Sequence, residues 1–147
     1  MSKKKEKSVG FTLRGVETKQ FAVFPDLYKD SDEVMLLQKF DYGANQIDRM
    51  IGVFAEFRFT QNDIPFLSIQ VLCHFEIEHD AWIEMINEEN TAINVKPNLL
   101  GHLVMLAIGT TRGVLHAKTE NTLFNQYLLP TLNVNDIVTE PTILEFT

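Results

Sequence analysis

Two neighbouring stretches of strict apolar alternation constrain the fold of this chain more than any other feature. Between positions 49 and 60 every second residue is apolar, and after a turn at 61–63 the same pattern runs from 65 to 79. Successive side chains of a strand point to opposite faces. The two stretches therefore predict an antiparallel hairpin with one buried face. Its predicted inward-facing residues are Ile51, Val53, Ala55, Phe57, Phe59, Leu67, Ile69, Val71, Cys73, Phe75 and Ile77.

Two further strands are predicted before this hairpin. Residues 9–24 also alternate, but they are too many for one flat strand, and a β-bulge near Gly15 would return Phe21 and Val23 to the apolar face. A polar link then leads to a second strand at 34–42. The basic residues Lys3, Lys4, Lys5 and Lys7 precede these strands. We predict a disordered basic tail at 1–8 and a single domain at 9–147.

A long helix is predicted from Pro97 to about residue 117, with proline at a first-turn position where its missing N–H costs nothing. Its apolar side chains cover about half the circumference, which is more than the ~100° stripe that packing on one sheet requires. Gly109 and Gly113 share a face, and small residues at this spacing let another backbone approach. We predict an oligomer interface at Met105, Gly109, Arg112 and Gly113. The alternative is that loops of the same chain cover this second side.

These elements together predict an α+β fold, in which a four-stranded antiparallel sheet has a long helix packed on one face. Residues 80–96 are compatible with a short amphipathic helix carrying Trp82 and Ile86, and also with a continuation of the fourth strand. An extended, proline-containing segment follows the long helix.

Composition limits the partners and the compartment. The net charge of -7 disfavours binding to nucleic acid and to anionic membranes. The single cysteine, Cys73, forms no intrachain disulfide, which fits a reducing compartment. The longest apolar stretch, 99–108, is about half the ~20 residues of a membrane span, and charged residues interrupt the start of the chain where a signal peptide would be apolar. We expect a cytoplasmic protein without membrane insertion.

The sequence contains no motif of a known catalytic or nucleotide-binding site, so we expect no enzyme activity and no cofactor. His74, Glu76 and Glu78 alternate on one strand face and could bind zinc or manganese. A solvated sheet face has the same pattern, and we predict no metal site. His102 and His116 are expected at the edge of the helix interface, and Cys73 in the core.

Two stretches resemble the SecB-type export chaperones. The first, FTLRGVETKQFAVFPD at 11–26, is similar to that family's first strand, with a Thr18-Lys19 pair and a Phe-x-x-Pro-like corner. The second is LVMLAIGTTRG at 103–113, followed by LLPTLNVNDIV at 128–138. It resembles the family's helix ending in an Arg-Gly pair, here Arg112-Gly113, and the Leu-x-Pro segment after it. Order and spacing agree over most of 9–138, with an insertion after Gly113.

The resemblance implies a SecB-like fold, a dimer or a dimer of dimers, and a holdase function. In that function, exposed hydrophobic grooves hold unfolded or extended client polypeptides without ATP. The eleven Phe residues suit such a surface. We predict that the client-binding groove is lined by Phe24, Leu27, Tyr28, Phe124 and Tyr127. Ordinary core or loop packing is the alternative at each position.

The chain also departs from the family. Gln20 and Phe24 stand where the family has the acidic residues that dock the export motor ATPase, so the resemblance gives no support for that partner. Residues 139–147 do not match the family's second helix, which covers the groove, so the groove is either open or filled by this apolar segment. Two other hypotheses stay open: an oligomeric scaffold that lacks the groove, and a small-ligand binding protein or enzyme with a pocket at His74 and Glu76.

Overall fold

The computed structural model describes residues 9–147, and the predicted tail at 1–8 lies outside the described residues. Four antiparallel strands form the main sheet in the order β1-β4-β3-β2. They are β1 (Phe11–Val23), β2 (Met35–Asn45), β3 (Met50–Gln61) and β4 (Ile64–Ile77). The long helix packs on β3 and β4, which confirms the predicted α+β fold.

The β3–β4 hairpin has the predicted faces. Phe57 pairs with Ile69, and Val53 pairs with Cys73. Every inward-facing residue predicted from the alternation is at most 5% exposed. Asn62 and Asp63 form the turn with positive φ angles of 52° and 65°, the backbone conformation that two-residue hairpin turns favour.

The edge strand β1 contains the predicted bulge and a second one. The register of β1 against β4 shifts between Leu13 and Gly15, and again between Thr18 and Gln20. Each bulge inserts one residue, so that Phe21 and Val23 lie opposite Ile69 and Leu67 on the core side. Thirteen residues can therefore follow β4 without losing the core face.

Shorter elements occupy the region that the sequence left open. After β4 come α1 (His79–Met85) and β5 (Ala92–Val95), and then α2 (Pro97–Thr119). The short-helix interpretation of the first half is correct, and Trp82 on α1 is buried. After α2 come α3 (Val134–Ile137) and β6 (Thr142–Glu145), and β6 pairs antiparallel with β5. The sequence patterns predicted neither β5 nor β6.

Part of the second apolar side of α2 is covered by the same chain. The Arg112 guanidinium donates hydrogen bonds to the carbonyl oxygens of Leu129 (3.0 Å) and Pro130 (2.8 Å). Leu129 is buried, and α3 packs against α2 near Gly101. Loops of the same chain therefore cover this part of the second apolar side of α2, which was the alternative to an oligomer interface. Arg112 fixes the segment after the helix, and its place in an oligomer interface stays a prediction.

By length and composition α2 would be sufficient to cross a membrane, but half of its apolar window is buried within this chain. The expected absence of membrane insertion stays a prediction. Cys73 lies in the core as predicted, and burial raises the pKa of its thiol.

Candidate functional site

The link between β1 and β2 crosses one end of the sheet, which we call the hairpin end because it contains the β3–β4 turn. Gln61, only 4% exposed, fixes this link. Its Nε2 donates to the carbonyl oxygens of Lys29 (2.7 Å) and Asp32 (3.2 Å), and its Oε1 accepts from the Lys29 N–H (2.9 Å). The Phe24 N–H donates to the Phe66 carbonyl (2.8 Å). The link is thus held to the sheet by hydrogen bonds along its length.

An aromatic cluster lies beneath the link, and its centre is Phe66. The β3–β4 register is irregular here, so Phe66 has no partner in β3 and is fully buried next to Leu67. The Tyr28 ring centroid lies 5.1 Å from that of Phe66, and the Tyr127 centroid lies 5.3 Å from it. The cluster consists of Tyr28, Phe59, Phe66, Phe124 and Tyr127.

One hydrogen bond joins the two tyrosines of this cluster. The Tyr127 hydroxyl donates to the Tyr28 hydroxyl at 2.7 Å. Desolvation, and next the hydrogen bond to Tyr28, raise the pKa of Tyr127 well above its usual value. Neutral tyrosine is therefore the form that this packing favours.

Three of the five predicted groove residues meet in the cluster. Tyr28 and Tyr127 are partly buried, while Phe124 is only 4% exposed and packs as a core residue. That packing is the alternative considered for Phe124, and it corrects the expectation that this side chain lines an open groove. Phe24 and Leu27 lie on the link beside the cluster and are about half exposed.

Phe24 and Leu27 belong to a larger set of exposed apolar side chains, which we call the apolar rim. Each member is about half exposed and lies at the hairpin end or next to a cluster residue in sequence. The rim consists of Phe24, Leu27, Met35, Leu37, Ile64, Leu123 and Leu128. The sequence reasoning missed the last five. Met35 and Leu37 alternate on the outward face of β2, and two apolar residues on such a face are a signal that could have revealed them.

The exposed face of α2 contains three of the four predicted interface residues. Met105 is half exposed, and no neighbouring atom lies within 4 Å of where a Cβ on Gly109 or Gly113 would stand. Leu106 is also exposed, as are Leu13 and Val16 of β1 on the helix side of the sheet. We call Leu13, Val16, Met105, Leu106, Gly109 and Gly113 the open helix face.

His74 and Glu76 do not converge on one pocket. The His74 ring lies 3.2 Å from a Glu17 carboxylate oxygen and lowers the pKa of Glu17, and Glu76 pairs with Arg14 and Arg49. His74 borders a concavity of about 470 Å³ on the outer face of the sheet, while Glu76 borders a different one. Within 9–147 no group of three or more possible ligands could hold a metal ion.

The apolar segment after α3 does not fill the hairpin end. Its strand β6 pairs with β5, and the Phe146 ring stacks on Trp82 with centroids 5.8 Å apart. Trp82 follows β4 by a few residues, so this contact lies at the opposite end of the sheet, which we call the far end. Among the described residues, the apolar rim therefore has no covering segment from 142–147.

No protein-family model matches this chain, and no curated protein matches it.

Proposed function

We propose that this protein binds extended apolar segments of unfolded polypeptides without ATP, as a SecB-like holdase chaperone or adaptor in the cytoplasm. The observation that carries the proposal is the apolar rim, in which seven large apolar side chains, at the hairpin end or next to a cluster residue in sequence, are each about half exposed. Soluble monomers rarely expose contiguous apolar surface of more than a few hundred Å², and larger patches mark interaction sites. The binding surface is the rim, with Phe24 and Leu27 as its contacts on the link.

The packing at the hairpin end supports binding by burial. Each Å² of apolar surface removed from water contributes about 25 cal/mol, so an extended apolar segment gains affinity without any directional chemistry. The hydrogen bonds of Gln61 and the aromatic cluster hold the link before a client arrives. A preorganised surface loses less conformational entropy on binding. Such binding needs no nucleotide.

We also propose that a second copy of the chain covers the open helix face. Met105, Leu106 and Val16 expose apolar area there, and Gly109 and Gly113 leave space for the backbone of another helix. A dimer, or a dimer of dimers, would then place several apolar rims on one particle, and multivalent contact strengthens the hold on a long client. Light scattering measures the mass of the particle and so distinguishes a monomer from a dimer and from a dimer of dimers.

The test is the suppression of aggregation of a chemically unfolded protein, with and without ATP. We expect suppression that is independent of ATP and about several-fold weaker for the variant Phe24→Ser/Leu27→Ser, because two rim contacts are lost. Ile47→Ser is the matched control, since Ile47 is 90% exposed in the β2–β3 turn at the far end. Equal suppression by both variants would place the contact outside the rim. A folded oligomer without any suppression would favour the scaffold hypothesis.

A further inference from the structure

Residues 142–147 lie in the fold as a strand added to an edge. Ile93 of β5 pairs with Leu144, and Asn94 pairs with Ile143. Beyond the strand, the Phe146 N–H donates to the Thr91 carbonyl at 3.0 Å, and the Thr147 N–H donates to the Ala44 carbonyl at 3.2 Å. Main-chain bonds of this kind hold an extended segment whatever its side chains are.

Two alternate side chains supply the specific contacts. Leu144 is 7% exposed and lies opposite the buried Ile93, and Phe146 stacks on Trp82 with an interplanar angle of 16°. Ile143 between Thr142 and Leu144 is 70% exposed. The pattern is that of a peptide bound by strand addition, in which every second side chain enters the protein.

The groove that receives these side chains is built without 142–147. It consists of β5, of Trp82 on α1, and of Ala44 at the end of β2. Ile86 after α1 forms a bridge with Ile93, which joins α1 to β5 on the side away from β6. Trp82 and Ile93 therefore keep contacts with the rest of the fold when β6 leaves.

β6 is paired over fewer residues than the strands of the main sheet. The β5–β6 ladder has four residue pairs, whereas β3 and β4 pair over their whole lengths. Segments with few buried contacts open locally at a small fraction of the global free energy of unfolding. The groove is thus accessible by local opening.

We propose that the groove formed by β5, Trp82 and Ala44 is a binding site for an extended segment of a partner polypeptide. The segment carries an apolar residue followed two positions later by an aromatic residue, and 142–147 is the intramolecular occupant that competes with it. The site lies at the far end, and the inference stands independently of the proposed function at the apolar rim. Tethering gives 142–147 an effective concentration in the range of about millimolar, so a partner binds the intact chain only in competition.

The test uses the blocked peptide Thr-Ile-Leu-Glu-Phe-Thr, which has the sequence of 142–147, and the full-length chain. Trp82 is the one tryptophan and reports occupancy of the groove by its fluorescence. In the variant Leu144→Ser/Phe146→Ser the occupant loses both apolar contacts. We expect the peptide to bind this variant at least about tenfold more tightly than the intact chain, because the competitor is weakened. A peptide with Ser at the same two positions is expected not to bind.

If that variant folds poorly, a reversible disulfide between β5 and β6 provides a second test. Asn94 and Ile143 lie directly opposite each other and are exposed, so Asn94→Cys/Ile143→Cys can form a disulfide between β5 and β6 while Cys73 stays buried. We expect peptide at about millimolar concentration to bind the reduced form and not the oxidised form.

Three results would overturn the inference. One is equal binding to the oxidised and reduced forms, and another is no binding to any variant. The third is an intermolecular disulfide, which would assign the groove to a second copy. Phe24→Ser/Leu27→Ser is expected to bind the peptide like the intact chain, which separates this site from the apolar rim.

Discussion

The two ends of the sheet differ in whether the apolar surface beside their aromatic side chains is covered by the chain itself. At the far end, Phe146 of the chain's own segment stacks on Trp82, and a four-residue strand covers the groove. At the hairpin end, a larger aromatic cluster is packed around Phe66, and the side chains of the apolar rim are about half exposed. A short strand is sufficient to cover an apolar groove in this fold. The exposure of the rim is therefore a local property of the hairpin end.

The two ends also differ in how much the rest of the fold depends on them. Phe66 contacts side chains from the link and from the segment after α2, so it joins elements that are distant in sequence. Phe146 contacts one aromatic side chain and lies just beyond β6, which pairs with β5 over only four residues. The far end should open locally, while the hairpin end should unfold only with the whole domain.

The largest effect is expected from Phe66→Ala. Phe66 is fully buried, and such truncations typically cost about 3–5 kcal/mol of the free energy of unfolding. Phe146 is partly buried, and Phe146→Ala should cost only about 1–2 kcal/mol. Urea denaturation followed by circular dichroism measures both. If Phe66→Ala does not fold, Phe66→Leu and Phe146→Leu give the comparison on a smaller scale, with a cost of about 1 kcal/mol expected at Phe66 and a smaller cost at Phe146. Equal losses from the two alanine variants would contradict the difference between the ends.

The sequence predicted the part of the fold that is set by long periodic patterns. The β3–β4 faces followed from alternation over 49–60 and 65–79, and α2 followed from an apolar arc between Pro97 and about residue 117. The bulge in β1 was predictable because Phe21 and Val23 would otherwise point away from the core. Long segments average over single exceptions, so their faces are readable without tertiary information.

The short elements and the site were less predictable, because single tertiary contacts determine them. β5 and β6 have four residues each, too few for a periodic signal, and their pairing joins positions far apart in sequence. The helical pattern places Arg112 on the exposed face of α2, but its side chain donates hydrogen bonds to two carbonyl oxygens of the segment after α2. Phe66 is buried because of a register irregularity in β4. Adjacent Phe66 and Leu67 give no alternating pattern that reveals it.

A smaller effect, specific to the hairpin end, is expected from Tyr127→Phe. The substitution removes the hydrogen bond to Tyr28 and should cost about 0.5–1.5 kcal/mol at neutral pH. The pKa of Tyr127 is raised in the folded chain, so the unfolded chain loses this proton first as the pH rises. The stabilisation is complete below the ordinary tyrosine pKa of about 10 and decreases above it.

The measurement is urea denaturation at pH 7 and at a series of pH values above 10. We expect a smaller alkaline loss of stability for Tyr127→Phe than for the intact chain. Burial also raises the pKa of Tyr42, so some alkaline loss persists in the variant. Tyr42→Phe is therefore the matched control. An alkaline loss that is unchanged by Tyr127→Phe would show that the hydroxyl pair is accessible to solvent.

The smallest change in stability is expected from substitutions at two exposed strand positions, one in the apolar rim and one in β6. Leu37 belongs to the apolar rim and Ile143 to β6, and the two side chains are 54% and 70% exposed on outward strand positions. Leu37→Thr and Ile143→Thr keep a residue that suits a strand, so each should change the free energy of unfolding by about 0.5 kcal/mol or less. Only Leu37→Thr should weaken the suppression of aggregation, because only Leu37 lies in the proposed client surface. If Leu37→Thr costs more than about 1 kcal/mol, Leu37 is a packing residue and its exposure has no functional meaning. If both variants suppress aggregation equally well, the contrast between the two ends is one of structure alone.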